Sequence, residues 1–312
     1  MNPETLVKEK TAEEFKIDTK SEIERFKNHI DNNERIIFSA KLPYPTIEDS
    51  LYFSKDTVYH YTNIYTAMEH IFLTNKLRLS PLDKVNDPKE KDFPDYSIFV
   101  CGYSDIVKDL ETKYDGNKLN EDIINFYSNI KQLCLCRNKN IKISSFRPFF
   151  PIERFGFSKP RMWDQYGGNY EGICIALSLS KLRKKLKKDY KFLNVNYYTN
   201  EMLSFNKTGI DLNQADKLGE QYKNELIDNQ LKILAMKHID YKDEKELKLI
   251  INNEKEFDYI DISHCIKGIF ITNKISSNYK QIVINKAMEW NVDVFILSFR
   301  KTGISINILN RS

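Results

Sequence analysis

Two glutamates two residues apart, Glu244 and Glu246, lie in a charge-rich stretch from Asp240 to Lys248. A carboxylate fixed in a site that excludes water stabilises a cation-like centre in a reacting substrate. On a strand, both side chains point to one face. The same spacing recurs at Glu254 and Glu256, so the pattern fits a solvated strand edge equally well. His60 closes the β-prone run Thr57-Val58-Tyr59 and either hydrogen-bonds within a sheet or grips a polar ligand. Trp163 is large and apolar and is expected to plug the core, while Tyr166 suits a core or a site. Lys181, Arg183, Lys184, Lys185, Lys187 and Lys188 place six positive charges in eight residues. That run reads first as a solvated helix face and second as a contact for an anion or nucleic acid.

Other chemistries leave no trace. There is no phosphate-cradling P-loop, no G-x-G-x-x-G, no G-x-S-x-G elbow and no H-E-x-x-H. The five histidines are scattered, and none has metal-ligand spacing to another His or Cys, so no metal is expected. Five cysteines without regular spacing argue against a disulfide framework. All five are expected to be buried, with Cys134 and Cys136 sharing one face of a strand. The chain's 312 residues are 41% hydrophobic and 29% charged, enough for a real core. A net charge of +4 does not announce a nucleic-acid binder. No apolar run reaches the roughly 18 residues of a membrane span, so no membrane partner is expected. The opening MNPETLVKEKTAEEF lacks the apolar stretch of a secretory leader, and the expected compartment is the cytoplasm.

The elements that must position these residues follow from periodicity. Residues 1 to about 40 read as helix, with Ser21 and Glu24 as a capping box, and Pro43-Tyr44-Pro45 then breaks the chain. Residues 1–45 are therefore expected to be a helical extension and 46–312 one domain. Strands are expected at 57–61, 77–79, 133–136, 173–177, 193–197, 247–251, 268–272, 293–299 and 304–308. Helices are expected at 119–131, 181–188, 213–237 and 277–290. Residues 137–160 read as a long loop and 161–166 as one helical turn. Strands and helices mix without strict alternation, which gives an α+β fold with a mixed sheet and surrounding helices.

Three segments together resemble a bacterial family catalogued as domain of unknown function 2971. They are Tyr59-His60-Tyr61-Thr62 with Leu77-Arg78-Leu79-Ser80 and Asn86-Asp87-Pro88; Met162-Trp163-Asp164-Gln165-Tyr166-Gly167 with Gly172-Ile173-Cys174-Ile175; and Tyr241-x-x-Glu244-x-Glu246-x-Lys248. Order and spacing agree over roughly residues 57–300. Tyr241 stands where the family usually has Trp, and Lys248 where it usually has Arg. Lysine lacks arginine's planar two-pronged grip, so a carboxylate or phosphate clamp at 248 is in doubt.

An early His, a middle aromatic and a late E-x-E also look like the ADP-ribosyltransferase fold, which splits NAD at the nicotinamide bond. That likeness implies that His60 holds a ribose hydroxyl and Tyr166 stacks on nicotinamide. It further implies that Glu246 stabilises the oxocarbenium-like sugar while Glu244 orients the acceptor. Tyr61, Thr62, Trp163 and Lys248 would line the cofactor, with NAD as substrate and a protein or nucleic acid as acceptor. The implied role is a toxin or phage-defence effector. Two alternatives stand beside it: a non-catalytic sensing or interaction module of a bacterial defence or stress system, and a nucleic-acid-binding or nucleic-acid-processing protein.

Overall fold

A computed structural model describes residues 36–37, 56–85, 97–99, 109–110, 112–113, 115–138, 155–199, 209–301 and 303–310. Asn86-Asp87-Pro88, Cys101, most of the expected 137–160 loop and most of the expected N-terminal helix lie outside the described residues. The fold is α+β. The chain divides into two compact units, each assembled from separate stretches. The first comprises Met1–Thr74, Arg137–Arg183 and Ile262–Ser312, and the second Asn75–Cys136 and Lys184–Asp261. Among the described residues, no helix is long and apolar enough to cross a membrane.

In the first unit the strands lie in the order Ile36–Ile37, Gly303–Asn310, Asp293–Arg300, Ile266–Thr272, Ile173–Ser178 and Thr57–Thr62. Ile266–Thr272 and Asp293–Arg300 run parallel, joined by the crossover helix Ser277–Trp290, and the other pairs are antiparallel. A parallel neighbour requires such a crossover, because a tight turn reverses the chain. Ser276 caps that helix by accepting from the Tyr279 amide, and Asn291 ends it in the left-handed conformation. Every residue of Ile173–Ser178 is buried, as its continuous apolar run predicts for a central strand. One correction falls here: Ile36–Ile37, expected within a helix, form a strand paired with Ile306 and Ser305. Two β-branched residues favour that pleated edge over helix.

The core of this unit is aromatic. Phe157 stacks on Phe270 at 4.3 Å between centroids, and Phe270 on Phe295 at 4.9 Å. Trp163, wholly buried, meets the Tyr61 ring edge-on at 5.2 Å, and its indole N–H donates to the Phe157 carbonyl at 2.8 Å. The Tyr61 hydroxyl donates to the Gly156 carbonyl at 2.5 Å. Glycine is needed where these parts touch. A Cβ on Gly156 would lie 2.2 Å from the Tyr59 ring, and one on Gly172 would lie 2.2 Å from the Thr62 carbonyl oxygen. Thus Tyr59–Thr62 and Met162–Gly172 interlock by packing.

The second unit pairs Glu246–Asn252 with both Ile130–Arg137 and Lys191–Asn194, all antiparallel. Lys76–Pro81 pairs with Asp258–Asp261 and touches Ile130–Arg137 at its end. Three expectations are corrected. The helix expected at 213–237 is two helices, Leu212–Leu218 and Glu220–Leu234, followed by the strand Met236–His238. The break is Gly219, whose φ of 53° suits glycine and stops the first helix. The strand expected at 193–197 splits into Lys191–Asn194 and Asn196–Tyr198, and the latter pairs in parallel with Met236–His238. Cys134 is exposed, whereas Cys136 is buried with its thiol directed to the Glu244 carbonyl. The strand face is therefore open at Cys134, between the buried Gln132 and Cys136. The basic helix is Leu179–Lys185, with Leu182 its buried residue, so Lys187 and Lys188 lie beyond it.

Replacing Trp163 with Ala should destabilise the protein by about 3–5 kcal/mol, the usual cost of deleting a buried aromatic. Thermal or urea unfolding checks this, and a wild-type midpoint would contradict the packing described for Trp163.

Candidate functional site

The second unit gathers three charges where water is nearly absent. Lys237, on the strand Met236–His238, bonds Glu244 Oε2 at 2.8 Å and Glu246 Oε2 at 3.0 Å. The lysine side chain is 5% exposed and each glutamate side chain 4%. Isolated ions buried this deeply would cost several kcal/mol each, so the arrangement persists only because the charges meet. Two carboxylates share one ammonium.

Local sequence explains how residues seven and nine apart converge. After Lys237 the chain enters the 3-10 helix Ile239–Glu244, whose start is capped by His238 Nδ1 accepting from the Asp240 amide at 3.4 Å. Lys245 then adopts the left-handed conformation, with φ 47° and ψ 48°, and turns the chain into the strand that begins at Glu246. Glu244 and Glu246 therefore do not lie on one strand, and neither is at a solvated edge. The turn at Lys245 brings them to one cation.

Aromatic rings surround the cluster. Lys237 Nζ lies 4.8 Å from the Tyr241 ring centre, a cation–π contact. The Tyr197 hydroxyl accepts from the Glu246 amide at 3.0 Å. Burial raises the Tyr197 pKa, and the charges of Glu246 and Glu244 add to it. The amide bond and Lys237 work the other way, and the balance is about 12. Lys248, wholly buried, donates from Nζ to the Leu234 carbonyl at 3.0 Å. It thereby places a cation at the C-terminal end of the helix Glu220–Leu234, where the helix dipole favours one.

The remaining predicted residues belong to the first unit. His60 sits mid-strand opposite Ile175 and is half-buried. Tyr61 and Thr62 are buried, and Trp163 is enclosed as described. Tyr166 ends the helix Pro160–Gln165, its amide bonded to the Met162 carbonyl at 3.0 Å. The structure thus joins Tyr61 to Trp163 in one unit, and Glu244 to Glu246 in the other. Lys237 and Tyr197 escape sequence reasoning. The available signal was a single lysine inside the apolar run Ile233-Leu234-Ala235-Met236-Lys237-His238-Ile239.

Residues 162–249 match the model of a family described as Protein of unknown function (DUF2971). No curated protein and no solved structure matches the chain. The matched segment contains Lys237, Glu244 and Glu246, together with the interlocking Trp163, Gly167 and Gly172. Tyr59–Thr62 lies before it.

Tyr197 supplies a pH test. An exposed tyrosine ionises near 10, so this phenol's contribution to stability is complete below about pH 10 and is lost as pH rises through its folded pKa. The difference in ultraviolet titration between wild type and Tyr197→Phe should show one phenol with a midpoint near 12. A midpoint near the ordinary value of about 10 would contradict the buried, anionic surroundings.

Proposed function

We propose that the protein is an NAD-using enzyme of ADP-ribosyltransferase type, with Glu246 supplying the charge that the reaction needs. The bond from ribose C1′ to the nicotinamide nitrogen breaks, and its electron pair leaves with neutral nicotinamide. The sugar centre becomes oxocarbenium-like, an acceptor nucleophile bonds C1′, and the acceptor's proton departs. What supports the reading is one observation: two carboxylates held almost free of water on one ammonium. Such a pair stabilises positive charge far better than an exposed carboxylate does. In this mechanism the developing cation competes with Lys237 for the same oxygens. As a toxin or phage-defence effector, the enzyme would transfer ADP-ribose to a protein or nucleic-acid acceptor.

Labelled NAD incubated with the protein and cell lysate should yield nicotinamide. Glu246→Gln should lower turnover about 10²–10³-fold, the typical loss for one preorganised electrostatic contact. Its fold should persist, because Lys237 keeps Glu244 as a partner. The exposed Glu254→Gln should leave the rate unchanged. Absence of NAD cleavage by wild type, or equal rates in all variants, would refute the proposal.

A further inference from the structure

The second unit contains a cavity of about 380 Å³, with Leu82, Lys84, Ser128, Lys131, Lys255 and Glu256 in its wall. That volume falls within the range of small-molecule sites. Its most constrained polar group is Lys131, a lysine with only 3% of its surface exposed. Lysines are seldom buried without a compensating partner. Here Nζ donates to two main-chain carbonyls, Asn129 at 3.0 Å and Asn253 at 3.2 Å. An ammonium has three N–H donors. Among the described residues two are used in this way, which fixes the group and leaves one donor for a ligand.

The wall around Lys131 is rigid. The Asn253 amide donates to the Asn129 carbonyl at 3.1 Å, and its side chain accepts from the Lys255 amide at 3.2 Å and donates to Asp258 at 2.7 Å. Lys84 lies 4.4 Å from the centre of the Phe257 ring, with the Arg78 guanidinium 4.6 Å from the same ring. The Lys84 ammonium holds Glu256 at 2.9 Å in an ion pair whose side chains are 48% and 73% exposed. Exposed pairs of this kind contribute little and exchange readily. Glu256 therefore marks a position for an anionic oxygen and can yield it to another anion. Asp83 also belongs to the wall and Asp258 pairs with Lys255 at 3.9 Å, so displacing Glu256 leaves three lysines facing two carboxylates, a net positive balance. Burial lowers the Lys131 pKa against the opposing pull of Asp83 and Asp258, and the charge of an arriving anion would offset that cost.

We propose that this cavity binds a small phosphate-bearing molecule through the ammonium groups of Lys131 and Lys84, with the Glu256 carboxylate as resident competitor. Phosphate offers several acceptor oxygens and the charge to bridge two lysines, and charge-assisted bonds of this type are the strong ones. The proposal stands apart from NAD cleavage, and the probes below carry no nicotinamide.

Calorimetric titration of the full chain with ribose 5-phosphate, inorganic phosphate, ribose and chloride at matched ionic strength tests it. Ribose 5-phosphate should bind saturably, inorganic phosphate more weakly, and ribose and chloride not at all. Lys131→Met should weaken ribose 5-phosphate about tenfold or more, the scale of one lost charge-assisted hydrogen bond. Glu256→Gln should tighten it severalfold, an effect that a merely structural ion pair would not produce. Should Lys131→Met fail to fold, Lys84→Met on the exposed side of the wall carries the same expectation of weaker binding. Absence of saturable binding in both wild type and Glu256→Gln would overturn the proposal. So would chloride binding as well as phosphate does, or a folded Lys131→Met that binds like wild type.

Discussion

One ammonium shared by two buried carboxylates governs the second unit. Stripping water from Lys237, Glu244 and Glu246 is expensive, and their mutual attraction offsets the cost only when all three hold position. That requirement fixes the local backbone. The 3-10 turn must end at Glu244, Lys245 must turn left-handed, and the strand must begin at Glu246. The neighbouring strand Asn196–Tyr198 must then present Tyr197 to the Glu246 amide, as it does. Removing the lysine leaves two like charges in a dry site.

The first unit rests on close packing instead. Its motif residues are largely those that let an aromatic core close. Gly156, Gly167 and Gly172 stand where a Cβ would strike Tyr59, Trp163 or the Thr62 carbonyl. Interiors packed at crystal density tolerate no such atom. Gly167 and Gly172, which carry part of the family resemblance, therefore explain a shape. The E-x-E segment explains a charge, and charge carries the functional reading.

Much of this architecture is legible in the sequence, for identifiable reasons. The runs Ile173–Leu177 and Gly268–Thr272 are continuously apolar, and Ser276 with Asn291 brackets a helix, so that region follows from local pattern. The segment 213–237 misleads because Gly219 interrupts an apolar stripe that otherwise continues across it. Leu193, Val195 and Tyr197 alternate like one strand yet serve two different partners, a choice made by tertiary contacts. Glu244 and Glu246 are visible as a pair, but their burial is not. It depends on Lys237, a residue that composition files with the solvated lysines. The anchoring of Lys131 by Asn129 and Asn253 is equally hidden, because it joins residues more than 120 positions apart through backbone carbonyls.

Chemical denaturation of Lys237→Met beside the triple variant Lys237→Met/Glu244→Gln/Glu246→Gln tests the central claim most directly. The single variant strands two carboxylates and should lose about 3–5 kcal/mol, the cost of breaking a buried pair from one side. The triple variant is neutral throughout and of similar size, and it should recover most of that loss. A single variant as stable as wild type, or a triple variant no better than the single, would contradict the account.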